Sequence, residues 1–361
     1  MKLQYLFNNF YQLPYLSFIF AVTKMQKNFA IAGCGRISQR HAEQISRIGN
    51  VKAVCDIIPE RANILAQHYQ AGAYYNLEKL LATEKDIDII SICTPNGLHA
   101  KHSIQALQAG IHVICEKPLC IDSADGIKMI EAASAASKKL FVVKSTRHNP
   151  VIKALKQLLD ANGLGQVFSF QLNCVWNRPA AYYANSWKGS LLLDGGTLFT
   201  QFSHYIDVLL WMLGEEKSIQ GFRKNAAHRQ SIEFEDTGVL AVEMLSGAIG
   251  TIHYSVNAFD RNQEVSLALV AEKGTIKLGG EYMNEIIYQQ PVLIDTAQIK
   301  NNRPANDYGY YKGSMSNHDM VYKNILLELS GEKSAVTDGA EALKTVRFIE
   351  KVYQQIHLNT I

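Results

Sequence analysis

A chain of 361 residues, 47% of them hydrophobic, is long enough for two domains and apolar enough to bury a core in each. Its formal net charge of +3 creates no demand for nucleic acid or an anionic membrane surface as a partner. The six cysteines form no Cys-x-x-Cys pair and sit mostly in apolar, strand-like runs, which reads as reduced thiol in the cytoplasm, not as a disulfide framework or a metal site.

Residues 1–24 stand apart. They are aromatic-rich, with an apolar stretch over 13–22 that Pro14 interrupts and that no small-x-small cleavage site follows. The stretch is also short for a bilayer span. The expectation is an extension ahead of a start at Met25, with residues 1–27 outside the folded domains. From Asn28 strands alternate with helices. Phe29, Ala30, Ile31 and Ala32 make a continuous apolar strand, the pattern of a parallel sheet covered on both faces. A helix is predicted over 37–48, closed by Gly49 and Asn50. There follow a strand over 51–57, a helix over 59–69, a strand over 87–93, a helix over 100–109, a strand over 112–115, a helix over 123–137 and a strand over 140–143. Sustained alternation of this kind predicts a doubly wound parallel sheet, a Rossmann domain over 28–148.

Past Pro150 the pattern changes. A helix over 151–159, a strand over 167–175 and a helix over 198–213 precede strands over 238–245, 248–256, 264–271 and 274–278. Consecutive strands joined by glycine turns such as Ser246-Gly247 and Lys273-Gly274 predict an α+β domain with one large, mostly antiparallel open sheet over 149–361. Helices over 317–329 and 339–356 close the chain.

The first strand runs into Gly33-Cys34-Gly35-Arg36-Ile37-Ser38, a GxGxxG pattern with serine as the third small residue. Glycines serve where the chain turns tightly and where a pyrophosphate approaches the backbone, and the helix that follows presents its N–H groups and positive dipole end. Asp56, at the end of the second strand and about twenty residues on, supplies the carboxylate for ribose hydroxyls and would repel a 2′-phosphate. NAD is therefore expected over NADP, and a nicotinamide site weighs against export. Two further loops end later strands: Thr94-Pro95-Asn96-Gly97-Leu98-His99 and Glu116-Lys117-Pro118.

Together with Gly33, Gly35, Arg36 and Ile37, these loops resemble the Gfo/Idh/MocA family of oxidoreductases, and the resemblance runs from Asn28 through essentially the whole chain. It implies a dinucleotide held by Gly33, Gly35, Arg36, Ile37, Asp56, Thr94, Pro95, Asn96, His99, Glu116 and Lys117. It also implies a second-domain sheet used for contacts in a dimer or tetramer, and last helices that return to the first domain.

Dehydrogenation of a secondary alcohol sends a hydride to nicotinamide and a proton to a positioned group. Lys117 is the first candidate, an ammonium that holds the reacting hydroxyl and stabilises developing alkoxide charge. His204 is the second. It follows Gly195 and Gly196 on a helix, one turn beyond Thr200, and the family's Gly-Gly, His-x-x-Asp pattern makes it the general base or proton relay, with Asp207 structural. The chain departs from many members in carrying Thr200 where they have aspartate, so an ionic pair with His204 is not available there.

Substrate contacts are expected from Lys144, Arg147 and Asn149 after the last strand of the first domain, from Arg178 and Trp187, and from Thr200 and Gln201. Cations can meet a carboxylate or pyrophosphate, and aromatics can stack on a sugar or base. These stretches, with residues 308–314 ahead of His318, resemble the branch acting on nucleotide-linked sugars for surface polysaccharide, including oxidation of the C3 hydroxyl of UDP-N-acetylglucosaminuronate. Two alternatives stand beside it: a dehydrogenase of free sugars or cyclitols, and a catalytically silent NAD-sensing protein. Retention of both Lys117 and His204 weighs against the silent one.

Overall fold

The computed structural model describes residues 27–299, 305–307, 312–315 and 317–359. The extension 1–24 and residues 308–311 of the tyrosine-rich loop lie outside the described residues. The first half contains β1 (Lys27–Ala32), α1 (Arg36–Ile48), β2 (Gly49–Cys55), α2 (Pro59–Tyr69), β3 (Gly72–Tyr74), α3 (Leu77–Thr83), β4 (Ile89–Ile92), α4 (His99–Gln108), β5 (His112–Cys115), α5 (Ser123–Ala135) and β6 (Leu140–Val142). The strands form one sheet in the order β3-β2-β1-β4-β5-β6, parallel at every pairing. Helices cover both faces, so residues 29–32 and 89–92 are buried along their length and no polar face was available to read. Strand order reverses between β1 and β4, and the loops leaving those two strands open the crevice in which ligands bind such sheets. The short β3 and α3 were not predicted, because three and seven residues are too few to carry a period.

The second half contains α6 (Pro150–Asp160), β7 (Val167–Val175), α7 (Ala180–Tyr183), α8 (Ser203–Leu213), β8 (Glu216–Lys224), β9 (Thr237–Met244), β10 (Ile249–Ser255), β11 (Glu264–Ala271), β12 (Gly274–Gly279), β13 (Glu285–Gln290), a small β14–β15 pair (Ala305–Asp307, Lys312–Met315), α9 (His318–Leu329), α10 (Gly339–Gln355) and β16 (Leu358–Asn359). Eight strands make an open sheet in the order β13-β12-β11-β7-β10-β9-β8-β16. Only β7–β10 and β8–β16 pair in parallel. β8 and β13 were missed in the sequence because their side chains are mostly exposed and show no clean alternation.

The inner face of this sheet, with Phe170, Leu172, Leu240, Ile252 and Leu267, shares one core with α8 and with the helix-covered face of the first sheet. The outer face leaves Phe168, Phe222, Val239, Ile249 and Val270 exposed. The predicted helix over 198–213 begins with one widened π turn (Leu198–Phe202) before α8, whose residues are buried on nearly all sides. A helix buried all round is fixed in rotation by its packing, so its polar residues point where the core dictates. The last helices return to the first half, with α9 packed on α1 and α10 packed on α5 and α8.

Candidate active site

Gly33 ends β1 at φ +91°, and a Cβ there would lie 2.6 Å from the carbonyl carbon and oxygen of Cys93, so only glycine makes this turn. Gly35 has no atom within 4 Å of where its Cβ would be, which leaves its backbone open to a ligand. α1 then starts with no side-chain cap and no acid in its first turn, so its positive end meets the cleft uncompensated. Ser38 is buried and donates its hydroxyl back to the Gly35 carbonyl at 2.5 Å. Asp56 lines the cleft, its two oxygens accepting the Cys34 and Ile58 amides at 2.8 Å each, and Arg36 and Arg61 line the same wall. Open glycine, uncapped helix and ribose-side carboxylate together fit a dinucleotide.

The loops after β4 and β5 are tied to one another. His99 bridges the Pro118 carbonyl at 2.7 Å and the Thr94 carbonyl at 2.9 Å. Buried Glu116 accepts from His41 Nε2 at 2.9 Å, His318 Nε2 at 3.3 Å and the Lys117 amide at 3.0 Å. Burial works to raise its pKa, yet the His318 and His41 hydrogen bonds hold it well below the usual carboxylate range. Behind it His41 Nδ1 meets Tyr322 at 2.7 Å, and Tyr322 meets Ser91 at 2.8 Å, so α9 is bonded into the first sheet behind Glu116. Among the described residues, His41, Glu116 and His318 are the group whose donor atoms lie near enough to hold a metal, and here they are spent on one another.

Lys117 and His204 line the same cleft, together with Glu116, Thr200, Gln201 and His318. Lys117 Nζ donates to the Thr200 carbonyl at 2.7 Å. Burial pulls the lysine down to about 8, with the Lys144 and Arg178 charges adding to the effect against Glu116 and Asp194. Burial likewise pushes His204 well below its ordinary value, reinforced by Lys117 and Lys144, so its ring is neutral near pH 7. Asp194 was passed over in the sequence. It is buried, accepts from Thr200 Oγ1 and from the Gly189 amide at 2.7 Å, and burial raises its carboxyl to about 7. Its position directly before Gly195-Gly196, at the turn into the helix, was the signal available.

This arrangement coincides with what the comparisons find. Residues 27–144 match a family model described as "Oxidoreductase family, NAD-binding Rossmann fold", and residues 152–277 match the "GFO/IDH/MocA C-terminal domain". The chain belongs to the Gfo/Idh/MocA family of oxidoreductases. Among solved structures, this Gfo/Idh/MocA chain is similar to the WlbA dehydrogenase of Chromobacterium violaceum in complex with NADH and UDP-GlcNAcA. The two are 33% identical, with 92% of this chain and 94% of that one covered and a TM-score of 0.84. The WlbA dehydrogenase of Bordetella pertussis, also with NADH and UDP-GlcNAcA, is 30% identical, covers 93% of this chain and 100% of its own, and gives a TM-score of 0.81. A curated relative, inositol 2-dehydrogenase 3 of Saccharopolyspora erythraea, is 27% identical over 259 residues, covering 70% of this chain and 73% of its own.

Within the Gfo/Idh/MocA frame, three expected substrate contacts need correction. Lys144 pairs with Asp207 at 3.1 Å, and Arg147 forks onto Asp207 at 2.7 and 2.8 Å and onto Glu341 at 3.1 Å. Asn149 caps α6 by accepting the Val151 amide at 2.9 Å. None of the three lines the cleft. A buried cation is stable only against a buried anion, and Asp207 takes both. The cleft instead has Arg178, Trp187, Gln201 and the unpredicted Lys188. Arg178 is 2% exposed, donates to Gln201 at 2.8 Å and to Asn262 at 3.1 Å, and lies 4.8 Å over Trp176. Lys188 lies 5.0 Å over Tyr182 and 4.9 Å over Trp187, and burial draws it down to about 8.

Asp207 is held down to about 2, where burial opposes the shift and the Lys144 and Arg147 charges impose it. Its folded value lies below the unfolded ~3.9, so its contribution is complete above that pH and is lost as pH falls toward 2. Asp207→Asn strands the buried Lys144 and leaves Arg147 with Glu341 alone. It is expected to cost about 3–5 kcal/mol at neutral pH, measured as a lower urea midpoint, with the gap to wild type closing in acid.

Proposed function

We propose that this chain is an NAD-dependent dehydrogenase oxidising a secondary hydroxyl of a nucleotide-linked sugar acid, with the C3 hydroxyl of UDP-N-acetylglucosaminuronate the leading candidate, in the supply of sugars for surface polysaccharide. The supporting observation is a single cleft of about 1210 Å³ lined by Asp56, Arg61, Lys117, His204, Arg178, Trp187 and Lys188. Pockets for one small ligand run to roughly 300–1,000 Å³, so the cleft exceeds the usual size for a single ligand. Two of its cations, Arg178 and Lys188, lie beside aromatic faces, which suits an anionic, stackable substrate. The two WlbA relatives crystallised with NADH and UDP-GlcNAcA support the same choice. A cyclitol, as in the inositol 2-dehydrogenase relative, is the second reading, and as a neutral ligand it makes no use of the positive charge that Arg178 and Lys188 bring to the cleft.

In this proposal Gly33, Gly35, Arg36 and Ile37 take the pyrophosphate, and Asp56 takes the ribose hydroxyls and disfavours a 2′-phosphate. Thr94, Pro95, Asn96 and Glu116 line the floor toward the nicotinamide, and His99 locks the two loops in register. When bound, the nicotinamide supplies the hydride acceptor. Lys117, drawn to about 8, is the group best matched to accept the hydroxyl proton near neutral pH. His204 is kept neutral and orients the hydroxyl, so the proton-accepting role expected of the histidine passes to the lysine. Arg178 and Gln201 form a bonded pair that fixes the substrate wall. The six free cysteines support a reducing compartment, the cytoplasm.

A screen of NAD⁺ with UDP-sugar acids, neutral UDP-sugars and myo-inositol, followed at the NADH absorbance, is expected to show turnover with the acids. Turnover with inositol alone would sink the proposal. Lys117→Met is expected to lower kcat by about 10²–10⁴-fold while NADH fluorescence titration gives a Kd within a few-fold of wild type. Wild-type kcat for oxidation is expected to rise with pH through about 8, as Lys117 loses its proton.

The exposed apolar residues Phe168, Phe222, Val239, Ile249 and Val270 on one sheet face support a second copy of the chain as partner. Light scattering is expected to give a multiple of 40.3 kDa. The Phe222→Glu/Ile249→Glu double variant is expected to shift the mass toward a monomer.

A further inference from the structure

The Asp194 carboxylate lies where three parts of the cleft meet. One oxygen accepts from Thr200 Oγ1 on the π turn, and the other accepts the amide of Gly189, next to Lys188, at 2.7 Å. From the opposite side Asn96 Nδ2 donates to the Asp194 carbonyl at 2.8 Å and to Thr200 Oγ1 at 2.7 Å, bringing in the loop after β4. Thr200 in turn offers its own carbonyl to Lys117 Nζ at 2.7 Å. The carboxylate is 1% exposed, so its bonds and nearby charges are all it has in place of water.

We propose that Asp194 is a positioning residue, which fixes the Thr200 carbonyl on Lys117 Nζ through the Thr200 hydroxyl and sets the charge state of Lys117 by standing beside both Lys117 and Lys188. Two physical points carry it. First, once ionised the Asp194 carboxylate is acceptor-only, so it dictates the orientation of Thr200 and leaves the Thr200 carbonyl directed at the lysine. Second, an anion in a water-poor site acts at longer range than on a surface. The charged and titratable groups around Asp194 are Lys188, Lys117, Glu235 and Tyr183, and those around Lys117 are Glu116, Lys144, Asp194, Arg178 and His204. In that set Asp194 favours the protonated lysine against Lys144 and Arg178. Burial sets Asp194 near 7 and Lys117 and Lys188 near 8, so all three titrate over the same range and the charge on one biases the others.

The sign follows directly. Asp194→Asn keeps the size but removes the anion, so Lys117 loses its proton at lower pH. Thr200→Val removes one hydrogen bond to the carboxylate, raises the pKa of Asp194 and moves Lys117 in the same direction by less. This inference rests on Lys117 being the proton acceptor proposed above, and two separate readouts keep the claims apart. The first is the pH dependence of Lys117 acetylation by acetic anhydride in the dinucleotide-free protein, followed by peptide mass spectrometry. The second is the acid limb of kcat with saturating NAD⁺ and the sugar substrate.

The expected result is an acetylation midpoint lowered by about one pH unit in Asp194→Asn, a smaller shift in Thr200→Val, and a kcat limb that follows. An unmoved acetylation midpoint in both variants overturns the role of Asp194. A moved midpoint with an unmoved kcat limb supports Asp194 as the residue setting the charge on Lys117 and overturns Lys117 as the proton acceptor. Should Asp194→Asn fail to fold, Thr200→Val carries the same test, because it removes the hydroxyl link to the carboxylate while leaving the Gly189 bond in place.

Discussion

Asp207 lies one turn beyond His204 on α8, and side chains from two other elements converge on it. Lys144 and Arg147 come from the segment after β6, and Thr345 on α10 adds its hydroxyl at 3.2 Å. Arg147 also reaches Glu341 on α10. A carboxylate at 1% exposure is tolerable only with such compensation, and the compensation comes from parts of the chain nearly 140 residues apart, as between Asp207 and Thr345. Because α8 is anchored there and is apolar almost all round, His204 has no freedom to rotate away from the cleft.

The titratable groups of the cleft are tuned chiefly by loss of water. Lys117, Lys188 and His204 are all pulled down by burial, and Asp194 is pulled up. Burial penalises whichever form is charged, so it drives acids and bases toward one another on the pH scale. The Glu116 cluster shows the opposite case. There the hydrogen bonds from two histidines outweigh burial, and the carboxylate stays ionised beside the lysine. Two buried acids thus end in different states because one is given imidazole donors and the other a hydroxyl and an amide.

Membership in the Gfo/Idh/MocA family was legible because its signals are local. A glycine that must adopt φ +91°, a strand that must be apolar on both sides, and a carboxylate ending β2 each leave a mark within a few residues. That Lys117 and His204 line the cleft was legible for the same reason, each sitting in a short pattern next to a strand end or a glycine turn. Strands such as β8 and β13 were not, since mostly exposed side chains carry no alternation. Lys144 and Arg147 misled because a cation in a loop after a strand looks the same whether it faces ligand or a distant Asp207.

The sequence by itself determined the alternation of strands and helices in the first half and the glycine loop that ends β1, because backbone demands and hydrophobic period act between near neighbours. Only the tertiary structure decided which cations face the cleft, which are neutralised beneath it, and that Asp194 lies against Thr200 behind Lys117. Those outcomes depend on burial and on partners far away in the chain, such as the 83 residues between Lys117 and Thr200. Charge balance at that distance is a property of the packed molecule, and no window of sequence contains it.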